Sequence, residues 1–152
     1  MERKAAKVSS ILELDRVKEH AVQDLAAPSA FMELLGISFE ETSPTSVRGS
    51  VAADERHHQP WGIVHGGLYT TVIETFATTG AYEAVKERGQ QAVGVSNTTD
   101  FLRPHRSGRL DVEAVPINQG RSQQLWQVEM RRQDDAKLIA RGQVRLQNID
   151  AG

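Results

Sequence analysis

A single carboxylate lies inside a long apolar stretch of this chain. Residues 61–78 read WGIVHGGLYTTVIETFAT, and Glu74 is their one formally charged residue when His65 is neutral. In a helix its neighbours four residues away are Thr70 and Thr78, which predicts a narrow polar line on an apolar helix. A buried carboxylate has a raised pKa and can act as a general base or a nucleophile. The alternative is a glutamate on a solvated strip, which the lack of other charges over two turns on either side disfavours.

Two glycines follow His65 at the expected start of this helix. The first N–H groups of a helix have no partner inside it, and the helix dipole favours negative charge there. Glycine also lets a ligand approach the backbone closely. Gly66 and Gly67 therefore suit a carbonyl oxygen that becomes an oxyanion during a reaction. The alternative for His65-Gly66-Gly67 is a flexible turn before a helix.

The spacing between Gly66 and Glu74 limits how they can act together. Eight residues at about 1.5 Å per residue separate them by roughly 12 Å along a helix axis. A donor to a carbonyl oxygen and a group that attacks its carbon must lie within a few ångströms of each other. We therefore expect each site to combine Gly66 of one subunit with Glu74 of another, in a two-fold dimer with antiparallel central helices.

Gln59 and a group of histidines lie close to the expected helix start. The side-chain amide of Gln59 can hold a carbonyl group or an attacking water, and the alternative is an ordinary loop glutamine. Together with His65, the histidines at 57 and 58 raise the question of a metal site. Adjacent histidines point apart and no carboxylate lies at ligand spacing, so we expect no metal. On this interpretation His57 and His58 form a surface pair.

The composition indicates one globular domain. The chain has 152 residues, of which 39% are hydrophobic and 25% charged, and this length is sufficient for a hydrophobic core. A net charge of −2 gives no basic character that would favour nucleic acid. The lack of cysteine excludes disulfides and thiolate chemistry. The N-terminus lacks the apolar stretch of a signal peptide and no run is long enough to span a membrane, so we expect a cytoplasmic protein.

The first part of the chain predicts two short helices and a hairpin. Residues 9–25 have the pattern of a peripheral charged helix, so we assign residues 1–27 to an N-terminal helical extension and residues 28–152 to the main domain. Another turn of helix is expected over residues 30–35. Alternating apolar and polar residues from Ile37 onward, interrupted by the turn SPT, predict the hairpin.

One long helix and four further strands follow. Residues 65–88 carry two adjacent rows of apolar residues four apart, which predicts a helix that is mostly covered. Four alternating runs then predict strands, and the last of them sets Leu138 on the same face as Ala140. Because helices and strands are segregated, we expect an α+β fold with an antiparallel sheet wrapped on one helix.

The combination of motifs resembles a known family. QPWGIVHGG, Glu74 nine residues after His65, VGVSNTTDFLRP and GRSQQLWQVEM are similar to the hotdog-fold acyl-CoA thioesterases. The likeness is greatest to the phenylacetate-pathway and 4-hydroxybenzoyl-CoA thioesterase type of actinobacteria, and it covers residues 30–148. It implies a long central helix inside a curved antiparallel sheet, with homodimers that assemble into a homotetramer. It also implies an acyl-CoA substrate, so that coenzyme A is part of the substrate and no separate cofactor is needed.

The resemblance assigns roles to individual residues. Glu74 would be the nucleophile or general base, and the N–H of Gly66 would polarise the thioester carbonyl. His65 and Gln59 would position the carbonyl group and the water, and Thr78 would assist Glu74. Whether the glutamate attacks directly or through water stays open.

The coenzyme A end of the substrate is expected to meet basic residues. Arg103, Arg106 and Arg109 fall in the loop LRPHRSGR, which suits phosphate groups. Arg121 and Ser122 match positions where relatives contact the pantetheine or the phosphates, although Arg121 replaces a small hydroxyl residue of one subgroup. The alternative for each arginine is a solvated loop charge.

The acyl group and the reaction leave alternatives open. Trp61 and Phe76 near the expected site suggest an aromatic acyl group, but both can equally belong to the core. Phe101 stands where some relatives have a histidine, so their substrate class does not carry over. A 3-hydroxyacyl thioester dehydratase or hydratase on the same fold usually places an Asp or His on the helix or loop to move a proton, and Glu74 after HGG without that pattern disfavours it. A non-catalytic acyl-CoA-binding module would need Glu74 to be dispensable.

Overall fold

The computed structural model describes residues 29–152, which contain a short helix, two strands, a long helix and four strands. This order confirms the prediction for that part of the chain. The helix expected over residues 9–25, and with it the extension over residues 1–27, lies outside the described residues. The elements are α1 Ala30–Leu35, β1 Ile37–Thr42, β2 Val47–Ala53, α2 Gly66–Val85, β3 Gln90–Phe101, β4 Gly108–Gln119, β5 Gln123–Arg132 and β6 Leu138–Asp150.

The ends of the helices follow local capping rules. The Ser29 side chain accepts a hydrogen bond from the Met32 N–H at 3.2 Å and starts α1, and Gly36 ends it in the left-handed region at φ 72°. Helix α2 ends earlier than residue 88. Its last residue is Val85, and a single 3-10 turn over Lys86–Arg88 leads to Gly89 at φ 69°.

All six strands form one antiparallel sheet in the order β1-β2-β4-β5-β6-β3. Helix α2 packs on one face of this sheet, and both of its predicted apolar rows are buried or nearly so. The alternation predicted for β4, β5 and β6 is also confirmed, except near Leu138. A register irregularity between Met130 and Arg131 turns Ile139 as well as Ala140 inward, and Leu138 is only half-buried. The sheet side of the core consists of Val47, Val51, Ala53, Ala92, Leu110, Val112, Ala114, Trp126, Val128, Met130, Ile139, Ala140, Val144 and Leu146.

Strand β3 forms one edge of the sheet and is mostly exposed. It is 12 residues long and pairs only with β6. Its exposed side chains include Val95 and Phe101, each 57% exposed. A long edge strand with exposed apolar side chains is a template for pairing with another chain.

No helix within residues 29–152 is long and apolar enough to cross a lipid bilayer.

Gly80 marks the closest approach of α2 to the sheet. A Cβ atom on Gly80 would lie 2.5 Å from Cζ3 of Trp126 and 3.0 Å from a methyl group of Val47. Trp126 is fully buried, and its indole N–H donates to Oε1 of the buried Gln124 at 3.0 Å. Because that bond fixes the ring, the indole cannot move aside freely.

We expect Gly80→Ala to destabilise the protein, although alanine in a helix interior normally gains about 1 kcal/mol over glycine. Overpacking against the fixed indole costs typically 1–3 kcal/mol or more, so the free energy of unfolding should fall. Chemical denaturation measures the effect. In a Trp126→Phe background the distal ring atoms are gone, and Gly80→Ala should cost much less there. An equal cost in both backgrounds would contradict this explanation.

Candidate active site

The start of α2 is built so that one backbone N–H has no partner. Nδ1 of His65 accepts a hydrogen bond from the Gly67 N–H at 2.7 Å, and the His65 carbonyl accepts from the Leu68 N–H at 3.0 Å. The Gly66 N–H makes no hydrogen bond to a described residue. It therefore remains as a donor at the positive end of a 20-residue helix.

Hydrogen bonds hold the loop before α2, residues 58–64, in one conformation. The Gln59 N–H donates to the Ile63 carbonyl at 2.9 Å, and the Gly62 N–H donates back to the Gln59 carbonyl at 3.0 Å. Nη1 of Arg106 donates to the Gly62 carbonyl at 2.9 Å, and the Val64 N–H reaches the His105 carbonyl at 2.8 Å. The position of Gly66 is thus set by contacts on both sides of the loop.

A cavity of about 330 Å³ opens beside Gly66. Oε1 of Gln59 accepts the Trp61 N–H at 2.5 Å, which leaves the NH₂ group of the amide to donate to a ligand. His65, predicted to position substrate, acts here as the helix cap and does not line this cavity. The lining consists of Gln59, Ile63, Val64, Gly66, Tyr69, Phe101, Leu102, Arg103 and Pro104.

An aromatic ring lies against Gly66. A Cβ atom there would lie 2.7 Å from two atoms of the Phe101 ring. The same ring packs on Tyr69, with the ring centroids 5.9 Å apart. Phe101 thus forms a wall of the Gly66 cavity.

Glu74 lies half-buried on α2 with its predicted hydroxyl partner. Oγ1 of Thr78 donates to Oε1 of Glu74 at 2.8 Å. Thr70, the other expected neighbour, instead donates to the Gly67 carbonyl at 3.0 Å. One carboxylate oxygen of Glu74 is therefore oriented by Thr78, and the other makes no hydrogen bond to a described residue.

A second cavity, of about 280 Å³, opens beside Glu74. Strand β3 forms most of its wall. Gly94 lies beside the carboxylate, and a Cβ atom there would be in van der Waals contact with Oε1 of Glu74 at 3.4 Å. Further along the strand, Nδ2 of Asn97 donates to the Thr70 carbonyl at 3.0 Å. The Gly66 and Glu74 cavities share no lining residue, as the spacing of about 12 Å along the helix requires.

The predicted coenzyme A residues fall at opposite ends of the sheet. Arg103 lines the Gly66 cavity, although its Nη1 donates to the Leu138 carbonyl at 2.8 Å. Arg106 holds the loop through Gly62, as described above. Arg121 and Ser122 are exposed in the turn before β5, and Asn148 of β6 bonds both of their carbonyls. Asn148 pairs with Ala92 near the start of β3, whereas Ala140 pairs with Phe101 at its end. The turn with Arg121 and Ser122 and the loop with Arg103 and Arg106 therefore lie at opposite ends of the sheet.

Arg109 lies apart from both groups. It forms ion pairs with Glu40, at 2.5 Å, and with Asp111, at 2.7 Å. These carboxylates compensate its charge and raise its pKa, first through the hydrogen bond to Asp111. It is less suited to phosphate than the other arginines of the loop.

The interpretation of His57 needs correction, and the structure decides between the alternatives left open for Phe76. His57 is buried, not on the surface. Its Nδ1 accepts the Asp54 N–H at 3.1 Å, and its Nε2 lies 3.3 Å from the Leu34 carbonyl. Phe76 is fully buried against Phe39, with ring centroids 4.7 Å apart, and so belongs to the core. Trp61 is 86% exposed and belongs to neither cavity lining.

No group of three potential metal ligands occurs within residues 29–152.

Two residues of these cavities have no signal in the sequence. Tyr69 lies within the apolar face of α2, where periodicity marks it only as a buried residue. Asn97 lies in the middle of β3, and its side-chain amide donates a hydrogen bond to the Thr70 carbonyl of α2. Only the packing of β3 against the helix makes these positions part of the site.

The fold is that of a hotdog thioesterase. The chain belongs to the thioesterase superfamily, whose family model matches residues 62–139. Its solved structural relatives include the Mycobacterium tuberculosis protein Rv1847. That structure has a TM-score of 0.78, is 40% identical, and is matched over 82% of this chain and 99% of its own.

Relatives with named activities are more distant. The proofreading thioesterase EntH of Klebsiella pneumoniae is 28% identical over 71% of this chain and 78% of its own length. The 1,4-dihydroxy-2-naphthoyl-CoA hydrolase of Escherichia coli is 29% identical over 63% and 70%. Together with the family match, they identify the chain as a thioester hydrolase.

Proposed function

We propose that the protein hydrolyses an acyl-CoA thioester to the free acid and coenzyme A, with Glu74 as the reactive carboxylate. One observation carries this proposal. A carboxylate oriented by a hydroxyl group and an unpartnered N–H at a helix start each face a cavity, in a chain of the thioesterase superfamily. The substrate of the E. coli relative is a coenzyme A thioester by its name, which supports the same leaving group here.

In the proposed reaction, the Gly66 N–H donates to the carbonyl oxygen of the thioester. Negative charge that develops on this oxygen is stabilised by the N–H and by the helix dipole. Either Glu74 or a water that it deprotonates forms the new C–O bond; the C–S bond breaks, and the coenzyme A thiolate leaves and takes up a proton. In the direct route, water then hydrolyses the anhydride on Glu74.

We propose that two subunits form each site. The free edge of β3 with its exposed apolar side chains supports antiparallel pairing of β3 with β3 of a second copy. This pairing would set the two α2 helices antiparallel and oppose the Gly66 cavity of one copy to the Glu74 cavity of the other. Further pairing of such dimers to a homotetramer completes the proposed assembly.

The same pairing explains the separated basic residues. Within one chain Arg103 and Arg106 lie at the Phe101 end of β3, and Arg121 and Ser122 lie at the other end. Antiparallel β3 strands bring opposite ends of two copies together. We therefore propose that one coenzyme A meets the Arg103 end of one subunit and the Arg121 end of its partner.

We propose an aromatic acyl group, as in the phenylacetate-pathway and 4-hydroxybenzoyl-CoA type. The rings of Tyr69 and Phe101 at the Gly66 cavity support this, in place of Trp61 and Phe76. The bicyclic aromatic acyl group in the name of the E. coli relative supports it too.

A thiol-release screen tests the function. Benzoyl-, phenylacetyl-, 2-enoyl- and straight-chain acyl-CoAs are offered to the protein, and free coenzyme A is measured with a thiol reagent. We expect cleavage with the highest kcat/KM for an aromatic acyl group. Hydration of crotonyl-CoA without thiol release would favour a hydratase, and binding of acyl-CoA without any reaction would favour a binding module.

A further inference from the structure

The hydroxyl group of Tyr69 is buried and has no partner. Tyr69 is 3% exposed, and its hydroxyl oxygen is the one fully buried side-chain nitrogen or oxygen within residues 29–152 that makes no hydrogen bond. Buried polar atoms are nearly always paired, so an unpaired one in a folded protein needs an explanation. A phenylalanine would fill almost the same volume without this cost.

Tyr69 lies in the wall of the Gly66 cavity. It is three residues beyond Gly66 on α2, and both residues line this cavity with Phe101. Pro104, on the same wall, has its carbonyl bonded by Nη2 of Arg132 at 2.9 Å. The positive charge of Arg132 also acts on the phenol of Tyr69.

The phenol is a hydrogen-bond donor at any physiological pH. Burial raises the pKa of Tyr69 to about 12, and the positive charge of Arg132 opposes this only in part. A protonated hydroxyl can donate one hydrogen bond and accept another. It therefore fits an oxygen atom of a ligand, whether hydroxyl or carbonyl.

We propose that the Tyr69 hydroxyl is the hydrogen-bond partner of an oxygen substituent on the acyl group in the Gly66 cavity. Tyr69 then determines specificity, because an acyl group with a hydroxyl or oxo substituent pairs with it and an unsubstituted acyl group leaves it unpaired. Sites built to pair a polar group reject analogues that lack it. This inference rests on the proposed function, since it assigns the acyl group to this cavity.

The test compares matched substrates in Tyr69→Phe, which removes only the hydroxyl. The kcat/KM values are measured for benzoyl-CoA and its three monohydroxy isomers, and for hexanoyl-CoA and 3-hydroxyhexanoyl-CoA. In the unaltered protein at least one substituted substrate should be preferred to its parent. Tyr69→Phe should lower that preference about 10-fold or more, where 10-fold equals about 1.4 kcal/mol.

Tyr82→Phe is the matched control. Tyr82 is also a buried tyrosine of α2 but lines neither cavity, so this change should leave the preference as it was. The stability of Tyr69→Phe gives a second readout. A hydroxyl kept for a ligand contributes nothing to the free protein, so the midpoint of unfolding should stay level or rise.

Two results would overturn the inference. The first is an unaltered protein that prefers no substituted substrate to its parent. The second is a preference that Tyr69→Phe leaves unchanged; if stability is lost as well, the hydroxyl bonds to water or to another subunit. If the protein cleaves no thioester, the proposed function fails separately. The affinities of the parent and substituted free acids for the unaltered protein and Tyr69→Phe, measured by calorimetry, then decide the role of Tyr69.

Discussion

Replacement of Glu74 by glutamine is expected to lower kcat for thioester cleavage by about 10²–10⁴-fold, with little change in KM. The amide has nearly the same shape and can still accept the hydrogen bond that Thr78 donates at 2.8 Å. It can neither take a proton from water nor attack a carbonyl carbon. Steady-state kinetics with the best substrate of the screen measure the effect, and circular dichroism verifies the fold.

Glu83→Gln is the matched control for this change. Glu83 lies on the same helix, is also half-buried, and pairs with Lys86 at 2.6 Å. Glu83 lines neither cavity, so loss of this ion pair should leave kcat near that of the unaltered protein. Full activity of Glu74→Gln would remove the proposed role of Glu74 and favour a binding module. Equal loss in both variants would point to a general effect on α2.

Two inactive variants should restore activity when their chains are combined. In Gly66→Ala the added Cβ meets the Phe101 ring at 2.7 Å, displaces the oxyanion donor, and should lower kcat by about 10²–10³-fold. If each site takes Gly66 from one chain and Glu74 from the other, a mixed dimer with Glu74→Gln has one intact site and one with both defects. Random pairing of equal amounts makes half of the dimers mixed. The mixture should then recover about a quarter of the normal specific activity, because each mixed dimer has one working site of two.

Co-expression of two differently tagged chains and purification through both tags isolates the mixed dimer. Gln59→Ala, which also affects the Gly66 cavity, serves as a second partner for Glu74→Gln if Gly66→Ala folds poorly. A mixed dimer of Glu74→Gln with itself, carrying both tags, gives the baseline. No recovery above this baseline with either partner would show that one chain supplies the whole site.

Much of this fold can be predicted from the sequence because its periodicities are strong. The two apolar rows of α2 and the alternation in β4 and β5 come from side chains that pack on one core. The end of α2 at Val85 was less predictable. The residues up to Arg88 still form a 3-10 turn, and composition distinguishes the two kinds of helix poorly.

The site could be predicted in part, and the rest depends on contacts far apart in the sequence. The Glu74–Thr78 bond lies within one helix turn, so the spacing of four residues was enough. The burial of His57 depends on the Leu34 carbonyl, 23 residues away. The wall that Phe101 forms against Gly66 depends on β3 returning beside the start of α2. No local pattern contains such information.

The hydrogen bonds within residues 58–64 have a consequence for the energetics of turnover. Ordering a flexible loop around a ligand costs conformational entropy, which lowers affinity. Here the Gln59 and Gly62 backbones bond to partners inside the loop, and Arg106 and His105 hold it from outside. The donor at Gly66 is therefore in place while the cavity is empty. Under the proposed function, an acyl group that binds here would therefore lose little of its binding free energy to ordering this loop.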